Sequence, residues 1–247
     1  MGLRIRRQKV MPIGVDLGSS RLKMAQVSMA GSQIQLLAAQ ATETPLYSSP
    51  ETKPSLTALA ENISAMLRSG SFRGREAVLS LPAAATFVQP VKVRPGTPED
   101  MDQAVRNELQ GKLPYPVGDA VIRHQLAGTV YADGGQMQER IVVATARRDL
   151  DGYLDAAKCG GLAVVGISVE ACAIVACFAR LFRRTSDKDR MTLFIDLGLA
   201  STQVVLARGP EMVFARNMSL GGRMLDEEVA KALSISPEQA HGIRMKT

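Results

Sequence analysis

Two stretches of the chain repeat one order of apolar and polar positions: Ile13-Gly-Val-Asp-Leu-Gly-Ser-Ser20 and Leu193-Phe-Ile-Asp-Leu-Gly-Leu-Ala200, with Asp16 and Asp196 offset by 180 residues. In each, an apolar run leads into Asp-Leu-Gly and a second β-favouring run follows, at residues 22–27 and 202–207. That pattern predicts a β-hairpin with a glycine-containing turn. A third strand is expected after each hairpin, at 33–41 and 212–218, and then a helix, at 53–69 and 222–233. Self-similarity at a fixed offset outranks local detail, so the chain reads as two related α/β halves.

Between the halves, a short apolar strand at 77–81 ends at Pro82, and a separate block spans residues 86–161 in the order strand, helix, strand, strand, helix. Its first helix has a clear start, with Thr97 as N-cap, Pro98 at the first helical position and Glu99 and Asp100 in the first turn, and it runs to about Gly111. Pro114 and Pro116 bias the residues before them away from helix, so 112–117 is expected to be extended. Strands at 120–127 and 138–145 flank the turn signal Ala132-Asp-Gly-Gly135, and a helix at 148–158 stops on Gly160-Gly161. A buried strand at 163–169 and a helix at 171–184 return to the first half, and Ser236-Pro237 opens a last helix. The expected organisation is a basic flexible tail (1–11), a first α/β subdomain (12–85 with 162–190), an inserted small subdomain (86–161) and the start of a second α/β subdomain (191–247).

Composition narrows the class. With 46% hydrophobic and 22% charged residues in 247, the chain is neither disordered, collagenous nor coiled-coil. Its net charge of +6 comes without tryptophan and with 4% aromatics, too few to build a base-stacking platform, so nucleic acid is not expected as a partner. Cys159, Cys172 and Cys177 form no C-x-x-C pair, which points away from disulfides and zinc and toward a reducing cytosol, with Cys172 and Cys177 as core packing. Arg4, Arg6, Arg7 and Lys9 precede an apolar run too short for a signal peptide, and the apolar stretch 162–182 is interrupted by Glu170, so no membrane span is expected. Arg180, Arg183, Arg184, Lys188 and Arg190 read as a solvated basic face. His124 and His241 have no cysteine or acid cluster near them in sequence, so neither is taken as a metal ligand.

The repeated turns carry the candidate chemistry. Gly18 lets backbone approach a phosphate, Ser19 and Ser20 offer amides and hydroxyls to its oxygens, Lys23 adds a point charge, and Asp16 faces the accompanying metal. In the second copy Asp196 takes the metal-facing position and Gly198, Ser201 and Thr202 supply the turn, while Leu199 and Ala200 remove the hydroxyls present in the first. Together the two hairpins could grip a phosphate chain and Mg²⁺.

This pair resembles the two phosphate loops of the actin, sugar-kinase and heat-shock chaperone ATPase superfamily, whose fold is two RNase H-like halves around a nucleotide cleft. Ser219-Leu-Gly-Gly222, ahead of a helix carrying Asp226, is similar to that superfamily's connecting motif and adds Gly221 and Gly222 to the nucleotide-binding set. Within the superfamily the chain resembles the PilM proteins of type IV pilus assembly, which are similar to the division protein FtsA. The likeness rests on Asp16-Leu-Gly-Ser-Ser-Arg-Leu-Lys23, on Glu108-Leu-Gln-Gly-Lys-Leu-Pro-Tyr-Pro-Val117, on Val142-Val-Ala-Thr-Ala-Arg-Arg148 and on Gly160-Gly-Leu-Ala-Val-Val-Gly-Ile-Ser-Val-Glu170.

The resemblance implies an actin-like fold with an inserted FtsA-type subdomain, and a cytoplasmic adaptor peripheral to the inner face of the membrane. It would bind Mg-ATP with at most slow ATPase activity, self-associate, and hold the amino-terminal cytosolic peptide of a PilN-like inner-membrane protein near Leu113, Pro114, Tyr115, Pro116 and Val117. PilM proteins are longer, so the second half is expected to be incomplete and to lack the glycine-rich loop for adenosine. The alternatives are an FtsA-like filament protein and a small-molecule kinase, for which the sequence offers no general base beyond the two loop aspartates.

Overall fold

A computed structural model describes residues 9–31, 33–43, 55–132, 134–181, 184 and 187–246. In chain order the first elements are β1 (Lys9–Val10), β2 (Ile13–Leu17), β3 (Arg21–Ala30), β4 (Gln33–Glu43), α1 (Leu56–Ser69), β5 (Glu76–Leu81), β6 (Phe87–Val93), α2 (Pro98–Glu108), β7 (Ala120–Ala132) and β8 (Gly135–Ala146). They continue as α3 (Arg147–Cys159), β9 (Ala163–Val169), α4 (Glu170–Phe178), β10 (Met191–Leu197), β11 (Thr202–Arg208), β12 (Glu211–Met218), α5 (Gly222–Leu233) and α6 (Pro237–Arg244). These group into two compact units, Met1–Pro82 with Arg148–Glu170, and Ala83–Arg147 with Ala171–Thr247.

In the first unit β2, β5 and β9 run parallel, β3 joins antiparallel to β2, and β4 pairs antiparallel with β3. One edge of β3 carries two partners in succession: β2 faces Leu22 to Ala25, and β1 faces Ser28 and Met29. Alternation along β3 sends Leu22, Met24, Gln26 and Ser28 inward. Two of those four are polar, and Gln26, 2% exposed, shows why that is tolerated. Its Nε2 donates to the carbonyls of Met11 (3.0 Å) and Arg73 (2.7 Å), and its Oε1 accepts from the Arg73 amide (2.7 Å). One side chain thereby satisfies the backbone at the break between β1 and β2, where Pro12 has no amide proton, and at the loop entering β5.

Helix α1 starts at Ser55, whose hydroxyl accepts from the Ala58 amide, and buries Leu59, Ile63, Met66 and Leu67; residues 53 and 54 of the expected helix lie outside the described residues. Gly160, at the end of α3, sits so close to α1 that a Cβ there would lie 2.7 Å from Ile63 Cγ2 and 3.0 Å from the Ala60 carbonyl oxygen.

The second unit contains two three-stranded antiparallel sheets, β6-β8-β7 and β10-β11-β12. Helix α2 packs Val105 into a cluster with Val91, Val93, Leu109, Ile122, Val142 and Ala144, and its capping box joins Thr97 to Asp100. The connection from α2 is not extended, as the prolines suggested. It coils through turns, with Gly111 at φ +70°, because Leu113 and Val117 both enter this cluster. Helix α4 is shorter than the expected 171–184, ending at Phe178, whose ring lies 5.1 Å from that of Phe194 on β10. Cys177 is exposed and so is not a core residue, whereas burial raises the pKa of the Cys172 thiol. Strand β10 ends its sheet with Leu193, Ile195 and Leu197 all more than half exposed.

Replacing Gln26 with Leu keeps the volume and strands three backbone hydrogen-bonding groups. At ~1–3 kcal/mol per buried group left without a partner, with partial relaxation, it lowers the stability of the first unit by about 3 kcal/mol. Faster amide hydrogen exchange in β3 and β5, with α5 unchanged, is the expected result.

Candidate functional site

The first turn is set by register. Asp16 on β2 stands directly opposite Lys23 on β3, and Lys23 Nζ donates to Asp16 Oδ2 at 2.9 Å. On the other side of β2, Ser80 of β5 is in register with Asp16, and Ser168 of β9 with Ser80. The Ser80 hydroxyl is buried without a hydrogen-bond partner. A polar row, Lys23, Asp16, Ser80 and Ser168, thus crosses the sheet at the carboxyl ends of its parallel strands, where open α/β sheets bind ligands. Gly18 makes the turn close enough for this register, since a Cβ there would lie 2.8 Å from the Arg21 carbonyl oxygen. Ser19 and Ser20 occupy the bend.

The second turn repeats the register with different chemistry. Asp196 on β10 is exposed and stands opposite Gln203 on β11, which stands opposite Asn217 on β12. Gln203 is 2% exposed. Its Nε2 reaches Asn217 Oδ1 only at 3.4 Å and its Oε1 has no partner, while Asn217 Nδ2 donates to the Ala83 carbonyl at 3.0 Å. Thr202 is buried and its hydroxyl donates to the Leu220 carbonyl, so its proton is engaged within the fold. The Gly198 amide closes the turn on the Ser201 carbonyl at 2.9 Å.

Gly221 and Gly222 bring α5 onto this turn. The Gly222 amide donates to the Gly198 carbonyl (2.8 Å) and the Arg223 amide to the Leu199 carbonyl (2.9 Å), so two donors of the helix start are used by the loop. A Cβ on Gly221 would lie 2.5 Å from the Leu199 carbonyl oxygen, and one on Gly222 would lie 2.8 Å from Arg244 Nη2. Arg244 passes over Gly222 to reach Asp226, 4% exposed, donating from Nε (2.6 Å) and Nη2 (3.1 Å), with His241 Nδ1 at 2.9 Å. This clasp fixes α6 against α5. The Arg244 hydrogen bonds, aided by His241 and opposed by burial, hold the Asp226 carboxyl below its usual value.

Sequence reasoning missed Ser80, Gln203 and the clasp. The signal for Gln203 was present, because it lies 180 residues after Lys23 as Asp196 does after Asp16. Both histidines prove to have acid partners. His124 Nε2 lies 2.6 Å from Asp102 Oδ1 and its Nδ1 accepts from Arg140 Nε at 2.8 Å, which places the imidazole proton on Nε2. Among the described residues no group of three or more His, Cys, Asp or Glu side chains could hold a metal. In the segment expected to meet a peptide, Leu113 and Val117 are buried and Tyr115 packs on the same cluster, which leaves Pro114 and Pro116 exposed. Among the described residues no helix is long and apolar enough to cross a membrane.

Asp226→Asn breaks a mostly buried ion pair and lowers the stability of the α5–α6 pair by about 2–3 kcal/mol at neutral pH. Because the folded carboxyl titrates below its unfolded value of about 3.9, the clasp's contribution is full above that value and is lost as pH falls through the folded pKa. Urea unfolding followed at α5 should therefore separate variant from parent at pH 7, with the gap narrowing as pH falls below about 4 and closing only below the folded pKa.

The family model described as type IV pilus assembly protein PilM matches residues 14–247. Among solved structures, a chain of a PilM-PilN type IV pilus biogenesis complex is 26% identical, with a TM-score of 0.77 over 94% of this chain and 68% of that chain. The cytoplasmic domain of EpsL, an inner-membrane component of the type II secretion system of Vibrio cholerae, is 15% identical, with a TM-score of 0.50 over 90% of this chain and 75% of that one. The fold is the actin-like α/β fold. A family match across nearly the whole length, on a chain whose two Asp-Leu-Gly hairpins share one register, leads to one conclusion: this chain belongs to the PilM family of type IV pilus assembly proteins.

Proposed function

We propose that the chain is a cytoplasmic adaptor of type IV pilus assembly that holds a peptide of a PilN-like inner-membrane protein and is switched by Mg-ATP. The likeness to the chain of the PilM-PilN complex, over 94% of the present chain and 68% of that one, carries this reading. The adaptor works peripherally, at the inner face of the membrane, through its partner. Exposed Pro114 and Pro116, rigid and offering no amide donors, form the part of their segment available to an extended peptide.

The nucleotide reading is supported by the two turns. Lys23 and the Ser80 hydroxyl are donors suited to phosphate oxygens, and Gly18 keeps the first turn free of side-chain bulk. Mg²⁺ is ordinarily held by one or two carboxylates together with substrate phosphates and water, so the single carboxylates of Asp16 and Asp196 suit it without a cluster of three acids. When bound, the ion would neutralise phosphate charge. Gly198, Ser201 and Thr202 shape the second turn, and Gly221 and Gly222 hold α5 on it. ATP acts as a structural or switching ligand.

The test is a titration with a labelled amino-terminal peptide from the PilN-like protein of the same organism, with and without Mg-ATP, on the parent chain and on Asp16→Ala. Saturable binding that Mg-ATP shifts in the parent but not in the variant is expected. A folded parent chain that binds no peptide under either condition would overturn the adaptor reading.

A further inference from the structure

Charge in the first unit is separated along the strand direction. Its described residues include as many acidic as basic side chains, so they carry no net charge. Topology decides where those charges lie. Strands β2, β5 and β9 are parallel, with Ile13 opposite Ala77 and Glu76 opposite Ala163, so all three begin at one pole of the sheet. Lys9 reaches that pole because β1 continues along β3 past the start of β2, pairing with Met29. The loop into β5 brings Arg73 and Arg75, its backbone tied by Gln26 at Arg73 and by the Ala163 amide at Arg75. Helices α1 and α3, which lead into β5 and β9, end there with Arg68 and Lys158 in their last turns.

The opposite pole bears Asp16, and there cations stand beside acids. Lys23 is paired with Asp16 at 2.9 Å, Arg148 lies 3.8 Å from Asp149, Arg21 is in register with Glu43, and Asp151 and Glu170 add further acid. The basic pole lacks this balance. Its acids are Glu76 and, a turn up α3, Asp155, and among the described residues none of the Lys9, Arg73, Arg75 and Lys158 side chains is ion-paired. Helix dipoles account for Arg68 and Lys158, because cations suit carboxyl-terminal turns. They do not account for Lys9, Arg73 and Arg75, exposed on a strand and a loop. In sequence, Arg4, Arg6 and Arg7 directly precede Lys9.

We propose that this basic pole docks on the anionic headgroups of a lipid bilayer, resting on the adaptor reading above only in so far as that reading puts a membrane beside the chain. A protein tethered by an inner-membrane partner meets lipid at high effective concentration. Exposed basic residues then add attraction to the negative surface one by one. Val10, 37% exposed next to Lys9, offers apolar contact at the same place. A nucleic acid fits less well, because stacking needs an open aromatic face and Phe72 of this loop is half-buried with its ring against Gly70. Docked this way, the parallel strands stand on the membrane and the Asp16 turn points away from it.

The experiment is co-sedimentation of the full chain with vesicles of phosphatidylcholine, alone or with a third of phosphatidylglycerol, at low and high salt. The double variant Arg73→Gln/Arg75→Gln removes charge from the basic pole, and Arg21→Gln/Arg148→Gln removes the same charge from the other. The parent should bind the anionic vesicles and not the neutral ones, and high salt should release it. Arg73→Gln/Arg75→Gln should bind about thirtyfold more weakly, at about fivefold per basic residue, and Arg21→Gln/Arg148→Gln by less than about threefold. Both double variants keep the backbone bonds of their loops and should melt with the parent, and binding of the labelled PilN-like peptide should be the same in Arg73→Gln/Arg75→Gln as in the parent. Equal losses in the two double variants, parent binding to neutral vesicles as tight as to anionic ones, or tighter binding of duplex DNA than of anionic vesicles would each overturn the membrane pole and leave the adaptor reading standing. A parent that binds anionic vesicles but no peptide would overturn the adaptor reading alone.

Discussion

Strand register is the constraint on which the candidate site depends. Side chains alternate faces with a period of two, so a slip of one residue in either Asp-Leu-Gly hairpin would carry its aspartate to the opposite face and dissolve the polar row. The turns prevent the slip. Gly18 and Gly198 bring the strands together at distances a Cβ would not permit without displacing backbone, and the Gly198 amide bonds back across its own turn to Ser201. In the second copy, α5 adds a brace through two amides to the loop carbonyls. Asp16 with Lys23, and Asp196 with Gln203, follow from that register.

What could be read from the sequence was what repeats or obeys local rules. The duplicated hairpins, the Thr97-Pro98 capping box and the bounds of α5 each follow from a few neighbouring residues. What could not be read depends on partners distant in sequence. Gln26 looks like a polar residue in a β-run until Arg73, 47 residues away, is brought beside it. Asp226 looks like an ordinary helical acid until Arg244 passes over Gly222. The proline-rich segment misled for a related reason: prolines restrict the backbone locally, but burial of Leu113 and Val117 decides the path of the chain. The site was half legible, because the motif gives the aspartates and glycines, whereas Ser80 enters through a parallel pairing that no local pattern announces.

The glycines illustrate how little chemistry a site residue need contribute directly. Gly221 and Gly222 were expected beside nucleotide, yet their visible effect is on packing: one admits a loop and the other admits a guanidinium. Thr202 is similar, since its hydroxyl secures the end of β12 before any ligand is considered. Around the second turn, then, several polar groups are engaged in holding the loop, and Gln203 Oε1 is conspicuous because it is not.

Strand β10 has a colloidal consequence. Among the described residues it is an edge strand that presents Leu193, Ile195 and Leu197 on one face, with no lysine or proline among residues 191–197 to discourage pairing with another chain. Copies of a protein with net charge +6 repel one another in dilute buffer, but that repulsion is screened within about 8 Å at physiological ionic strength. The same chain is therefore better behaved at low salt than at high, and ionic strength sets how often its apolar edges meet.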